Sequence, residues 1–233
     1  MNKRLMIMAA AAIIITLGTV QAVMAQSNDK EMSIEESYLQ ESVEMMIIHE
    51  NSRASSRDQK MIALEYIKSS IDKGSTNDEI RSTLEYLALE GTVNKSNQDR
   101  KPMDYPDVRR QAAKYLGSIK TKESKDALIK IVTNDGEPMV IQEALKSLGT
   151  VGLNDNNDVI YAAYWMAARN HNFKPPDDLV AITALDTLDK FCSKDKYMDA
   201  DIIQLLRNIS EGTYARPVKD RARLMLNNLR NYR

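Results

Sequence analysis

The sequence predicts an all-α protein built as a stack of paired helices, and three observations support this fold class. Only 8 Gly and 6 Pro occur in 233 residues, whereas an all-β chain needs many turns and usually more of both. The apolar content is 43% and comes mainly from good helix formers, with 13 Met but only 2 Phe and 1 Trp. Finally, one apolar pattern with helical spacing recurs along the chain.

The recurring pattern is Val-x-x-x-Ala-x-x-x-Leu. Residues at these intervals lie on one face of an α-helix, so each copy predicts a helix with one buried face. The small Ala at the centre allows another helix to pack closely against that face. A proline stands shortly before each copy, where its missing N–H costs a helix nothing. The four copies begin at Val108, Val140, Val180 and Val218.

The spacing of the copies leaves room for a second helix in each unit. Second helices are indicated at 80–88, 127–132, 159–166 and 202–209. A single helix pair cannot bury its apolar face, so neighbouring pairs must stack. We therefore predict an α-solenoid of about four helical hairpins plus a terminal helix over residues 33–233. A compact helical bundle is the alternative.

The N-terminus has the three-part plan of a secretory signal peptide. Lys3 and Arg4 give a positive start, residues 5–17 are almost entirely apolar, and small residues follow. The apolar run is shorter than the roughly 20 residues that a membrane span needs. We expect cleavage after Ala25, or else after Ala22, which would leave no membrane span and place the mature chain in the periplasm or outside the cell. An uncleaved N-terminal anchor is the alternative.

The expected domain map is a signal peptide at 1–25, a flexible N-terminus at 26–32 and the helical stack from residue 33. The formal charge of −1 does not suggest a nucleic-acid partner. Residues 29–50 are nevertheless acidic and residues 216–233 are basic. Solvated helix faces account for such runs, and end-to-end association of copies is the functional interpretation.

Two neighbouring segments resemble known repeats. Residues 104–119, DYPDVRRQAAKYLGSI, followed by KESKDALIKIV at 122–132, resemble one HEAT repeat of the bacterial type. The next first helix, EPMVIQEALKSLGTVG, is similar, and the clearest repeats span 104–171. Both copies end in Leu-Gly, and we expect Gly117 and Gly149 to end their helices in a left-handed conformation. The resemblance implies a protein-binding surface spread over many repeats.

The sequence gives little support for catalysis or a cofactor. It has no glycine-rich phosphate loop and no G-x-S-x-G motif. His171 with Asp177 and Asp178 is an imaginable metal site, but a polar loop with acids at a helix start explains the same residues. Cys192, the single cysteine, follows an apolar helical pattern and is expected in the core. We predict no enzyme activity, and a metal- or thiol-dependent enzyme is the remaining alternative.

The sharpest binding candidate is the second helix that contains YAAYWMAAR. Tyr161 and Trp165 are four residues apart, and Tyr and Trp are favoured anchors of protein interfaces. In the HEAT arrangement the second helices line the concave face. The alternative is that these aromatic side chains fill the core between repeats. The predicted protein-binding residues are Tyr161, Trp165, Arg169, His171 and Arg207, with Lys125 and Lys130 expected along the same face.

These observations together predict a non-catalytic scaffold that is exported and binds an envelope or secreted protein. A self-assembling structural module of the envelope is the alternative, because the oppositely charged ends would attract each other.

Export predicts a shortened chain. Intact-mass spectrometry of the protein from its native cells should show a chain that begins at Gln26, or at Val23 if cleavage follows Ala22. Ile14→Asp should block export and leave the full chain in the cytoplasm, because a charge breaks the apolar run. A chain that keeps Met1 and stays in the membrane would contradict cleavage.

Overall fold

The computed structural model describes residues 34–92 and 104–229, so the predicted signal peptide and flexible N-terminus lie outside the described residues. The described ranges contain α-helices, one 3-10 turn and no strand, which confirms the all-α class. The chain divides into two compact units, Met1–Val43 and Glu44–Arg233. The helices are α1 (Ile34–Arg53), α2 (Arg57–Asp72), α3 (Asp78–Leu89), α4 (Pro106–Leu116), α5 (Lys122–Asn134), α6 (Pro138–Val151), α7 (Asp158–His171), α8 (Asp178–Asp195), α9 (Ala200–Glu211) and α10 (Arg216–Leu229).

Helices α2 to α10 of the larger unit form two layers. The first layer contains α2, α4, α6, α8 and α10, each packed on the next, and the second contains α3, α5, α7 and α9 in the same manner. Each second-layer helix also packs on the first-layer helix that follows it in the chain. This is an α-solenoid rather than a closed bundle. The four predicted hairpins correspond to α2–α3, α4–α5, α6–α7 and α8–α9, and α10 is the terminal helix. Each second-layer helix, however, packs more extensively on the first-layer helix of the next hairpin than on its own partner.

The repeated Val-Ala-Leu pattern forms the centre of the core. Ala112, Ala144, Ala184 and Ala222 are all fully buried, each on a first-layer helix. The Val and Leu residues of the first three copies are buried as well, and Leu226 of the fourth is partly buried against the same core. Each large apolar side chain buried in this way contributes about 1.5–3 kcal/mol to folding.

The two Leu-Gly glycines do not act as the sequence suggested. Gly117 has a right-handed φ of −61°, and Gly149 lies inside α6. The left-handed residue that ends α6 is Gly152, with a φ of 72°. Gly117 is instead required for close packing, because a Cβ at this position would lie 2.7 Å from both Cβ and Oγ of Ser147 on α6.

Basic side chains inside the stack are paired with carboxylates. Arg109 Nε donates to Asp135 Oδ2 over 2.8 Å, and both residues are buried. Lys125, expected on an exposed face, is completely buried, and its Nζ lies 2.6 Å from Asp155 Oδ2 and also binds Asp158. Burial lowers the pKa of Lys125, but the hydrogen bonds to the two carboxylates raise the pKa further, so it lies above its ordinary value. Removing one partner of the buried Arg109–Asp135 pair would cost about 3–5 kcal/mol.

The two glycines of the repeat allow a matched test of the packing between α4 and α6. Gly117→Ala should lower the free energy of unfolding by about 1–3 kcal/mol, because the added methyl group overpacks the contact with Ser147. Gly149→Ala should raise it by about 0.5–1 kcal/mol through helix propensity, since its Cβ would meet only Lys190 Cδ at 3.8 Å. Urea denaturation followed by circular dichroism measures both variants. Equal changes in the two would contradict this account.

Candidate protein-binding surface

Helix α7 turns one face to the core and the opposite face outwards. Its inner face is built from residues such as Ile160, Ala163 and Met166, which are at most 2% exposed. Tyr161 and Trp165 occupy the outer face, where they are 53% and 42% exposed. The alternative that these two side chains fill the core is therefore wrong. Their role in binding remains a prediction.

Arg169 and Phe173 extend this face at the same four-residue interval. The guanidinium carbon of Arg169 lies 5.3 Å from the centre of the Trp165 ring and 5.9 Å from the centre of the Phe173 ring. Contacts of this kind stabilise an exposed cation by about 0.5–1 kcal/mol each. Within residues 34–92 and 104–229, no carboxylate forms an ion pair with Arg169. We call Tyr161, Trp165, Arg169 and Phe173 the α7 stripe.

Phe173 lies two residues beyond the end of α7, and hydrogen bonds of the loop fix its position. Its N–H donates to the carbonyl oxygen of Asn170 over 3.1 Å. The buried side-chain amide of Asn170 donates to the carbonyl of Asp177 over 2.8 Å and accepts from its N–H over 3.0 Å. Asp177 Oδ1 in turn accepts from the N–H groups of Leu179 and Val180 at the start of α8. The loop therefore joins the end of α7 to the first turn of α8.

A groove with a volume of about 340 Å³ lies beside the end of the stripe. It is bounded by the connection between α5 and α6, the start of α6, the end of α7 and the start of α8. Its apolar walls include Ile141, Met166, Phe173, Pro175 and Val180. Arg169 lines the groove as well, so a cation of the stripe borders an apolar hollow.

Tyr197, between α8 and α9, widens the stripe at its other end. Its hydroxyl lies 3.2 Å from that of Tyr161, and the two rings meet edge to face with centres 6.4 Å apart. The hydrogen bond with Tyr161, followed by burial, raises the pKa of Tyr197 above its ordinary value. The four-residue spacing could have revealed Phe173 from the sequence. Nothing in the local sequence indicates that Tyr197 reaches α7.

His171 and Arg207, the other two predicted site residues, are not part of the stripe. The His171 ring stacks on Tyr214, with ring centres 5.8 Å apart, and its Nδ1 is buried with no hydrogen-bond partner in the described part of the chain. His171 is therefore placed against the connection between α9 and α10. Arg207 is exposed on α9 in the same layer as α7.

The carboxylates near His171 have structural roles. Asp177 caps α8, and Asp178 Oδ1 accepts from the N–H of Ala215 over 2.9 Å. In residues 34–92 and 104–229, no cluster of three His, Cys, Asp or Glu side chains is arranged to hold a metal ion. The loop interpretation thus explains these residues without a metal.

Residues of the acidic segment 29–50 and of the basic segment 216–233 form ion pairs within the larger unit. Glu44 binds Lys73 over 3.2 Å. Arg221 binds Asp186, and its Nη2 lies 3.0 Å from Asp189 Oδ2. These pairs reduce the charge available for end-to-end association.

No helix in the described ranges has the length and apolar character of a membrane span.

Cys192 should behave as an unreactive core thiol. It is fully buried on α8, and burial, followed by the charges of Asp189 and Asp195, raises its pKa to about 12. The nucleophilic thiolate is therefore scarce at neutral pH. Alkylation by iodoacetamide, followed by mass spectrometry, should be slow in the native protein and fast in urea. Rapid native labelling would restore the hypothesis of a thiol-dependent enzyme.

Comparison with known proteins identifies the family of the central part of the stack. Residues 103–170 match the family model of HEAT repeats. No curated protein and no solved structure matches the chain. The matched segment contains α4 to α6 and nearly all of α7, and the hairpins on both sides continue its two layers. Residues 103–170 are therefore HEAT repeats, and they form the central part of an all-α solenoid.

Proposed function

We propose that this chain is a non-catalytic scaffold that binds a protein partner through the α7 stripe. HEAT repeats commonly mediate protein–protein interaction, which supports the general class of function. The observation on which the proposal rests is the exposed stripe itself. Trp, Tyr and Arg are the residue types most enriched at the energetic centres of protein interfaces, and this stripe presents all three with Phe173.

The stripe is held in place before any partner arrives. The buried face of α7 fixes the helix, the two rings contact the guanidinium of Arg169, and Asn170 holds the loop that bears Phe173. Side chains fixed in this way lose less conformational entropy on binding, which favours affinity.

The proposed place of action is the periplasm or the cell exterior, and the proposed partner is an envelope or secreted protein. The support for this part is the N-terminal sequence, with its two basic residues, apolar run and small residues near Ala22 and Ala25. Self-assembly of the chain remains the competing function.

Affinity capture of a tagged chain from its native cells, after crosslinking and with mass spectrometry, tests the proposal. Trp165→Ala should lower recovery of the partner by about thirtyfold, since loss of a central interface side chain costs about 2 kcal/mol or more. Leu224→Ala is the matched control, because Leu224 is 52% exposed but lies on α10. Circular dichroism verifies that both variants fold.

The outcomes separate the two functions. Capture of an envelope or secreted protein that Trp165→Ala reduces and Leu224→Ala preserves supports the scaffold. Equal capture by both variants would remove the stripe from the binding site. Recovery of copies of this chain alone would favour the self-assembling module.

A further inference from the structure

The groove beside the α7 stripe has one basic group whose charge is not matched by a carboxylate. Two carboxylates also line the groove, but both are engaged. Asp135 binds the buried Arg109, and Asp177 Oδ1 accepts two N–H groups of α8. The N–H groups of Arg169, by contrast, have no acceptor among residues 34–92 and 104–229. Arg169 is therefore the charged group lining the groove that has neither a hydrogen-bond acceptor nor an ion-pair partner in the described residues.

The environment of Arg169 suits a carboxylate. Trp165 and Phe173 interact with the positive charge through their rings, so they do not consume its N–H donors. A guanidinium presents these donors as a planar fork, which matches the two oxygens of a carboxylate. Partial shielding by the rings also strengthens an ion pair relative to one in open water.

The hollow next to this cation suits an apolar side chain. Its volume is about 340 Å³, and Ile141, Met166 and Phe173 form part of its walls. This volume is near the lower end of the range of small-molecule sites, so it accepts side chains of a peptide rather than a folded element. A ligand that uses both features must place a carboxylate close to a large apolar group.

We propose that the groove binds an acidic peptide segment of the partner protein. An Asp or Glu carboxylate of this segment pairs with Arg169, and a neighbouring aliphatic or aromatic side chain enters the hollow beside Phe173. The inference rests on the proposed function, because it names the chemistry of the partner at the same surface. A basic segment would be repelled by Arg169, and a neutral one would leave the guanidinium unpaired.

Binding of defined peptides tests this inference with the natively purified chain. The probe is a short acetylated and amidated peptide in which Glu alternates with Leu and Phe. Its controls replace every Glu by Gln, every Glu by Lys, or every Leu and Phe by Ser. Calorimetry measures affinity. The emission of Trp165, the only tryptophan of the chain, reports whether the peptide contacts the stripe.

The acidic apolar peptide should bind at least about tenfold more tightly than each control, because a charge-assisted hydrogen bond is worth about one to two powers of ten in affinity. Arg169→Gln should weaken this peptide by the same factor, and Arg169→Lys by less, because the charge remains while the fork is lost. Arg223→Gln is the charge-matched control. Arg223 lies on α10, where it pairs with Asp220, and its removal should change affinity less than twofold.

The results distinguish failure of the inference from failure of the proposed function. Tight binding of the Gln or Lys peptide, or equal loss in Arg169→Gln and Arg223→Gln, would overturn the acidic partner. No binding of any peptide would also overturn it. If a partner protein is still captured in a manner that depends on Trp165, the scaffold function stands even when the acidic-peptide inference fails. If that capture is lost as well, both the inference and the proposed function fail.

Discussion

The close packing of successive first-layer helices is the contact on which the rest of the stack depends. No hairpin has enough apolar surface to fold alone, so each must bury its Val-Ala-Leu face against neighbours. The fully buried alanines at the centre of these faces are small, so neighbouring helices can approach closely. Between α4 and α6, Gly117 faces Ser147 with no room for a methyl group.

Ion pairs of two buried basic residues hold the connections between these packed helices. Arg109 on α4 reaches Asp135 in the connection between α5 and α6, and Lys125 on α5 reaches Asp155 before α7. Such pairs add little net stability compared with an apolar core, but each is costly to break. They therefore favour one arrangement of the repeats and hold the segments just before α6 and α7.

The α7 stripe exists because the two faces of α7 have different environments. The core uses one face of α7, so the opposite face can bear large side chains that remain exposed. Two exposed aromatic side chains, Trp165 and Phe173, lie against the guanidinium of Arg169. A partner that covers this surface would bury apolar area and pair the guanidinium in one step, which is why the stripe and groove form a coherent candidate site.

The sequence by itself determined the helices and their buried faces, because the spacing of Val108, Ala112 and Leu116 is a local property that any α-helix converts into one face. It also placed Tyr161, Trp165 and Arg169 together for the same reason. Only the tertiary structure decided that this face is exposed, that Lys125 is buried, that His171 stacks on Tyr214 and that Tyr197 meets Tyr161. These outcomes depend on contacts between residues distant in the chain, and helical periodicity carries no information about which neighbour lies opposite a given face.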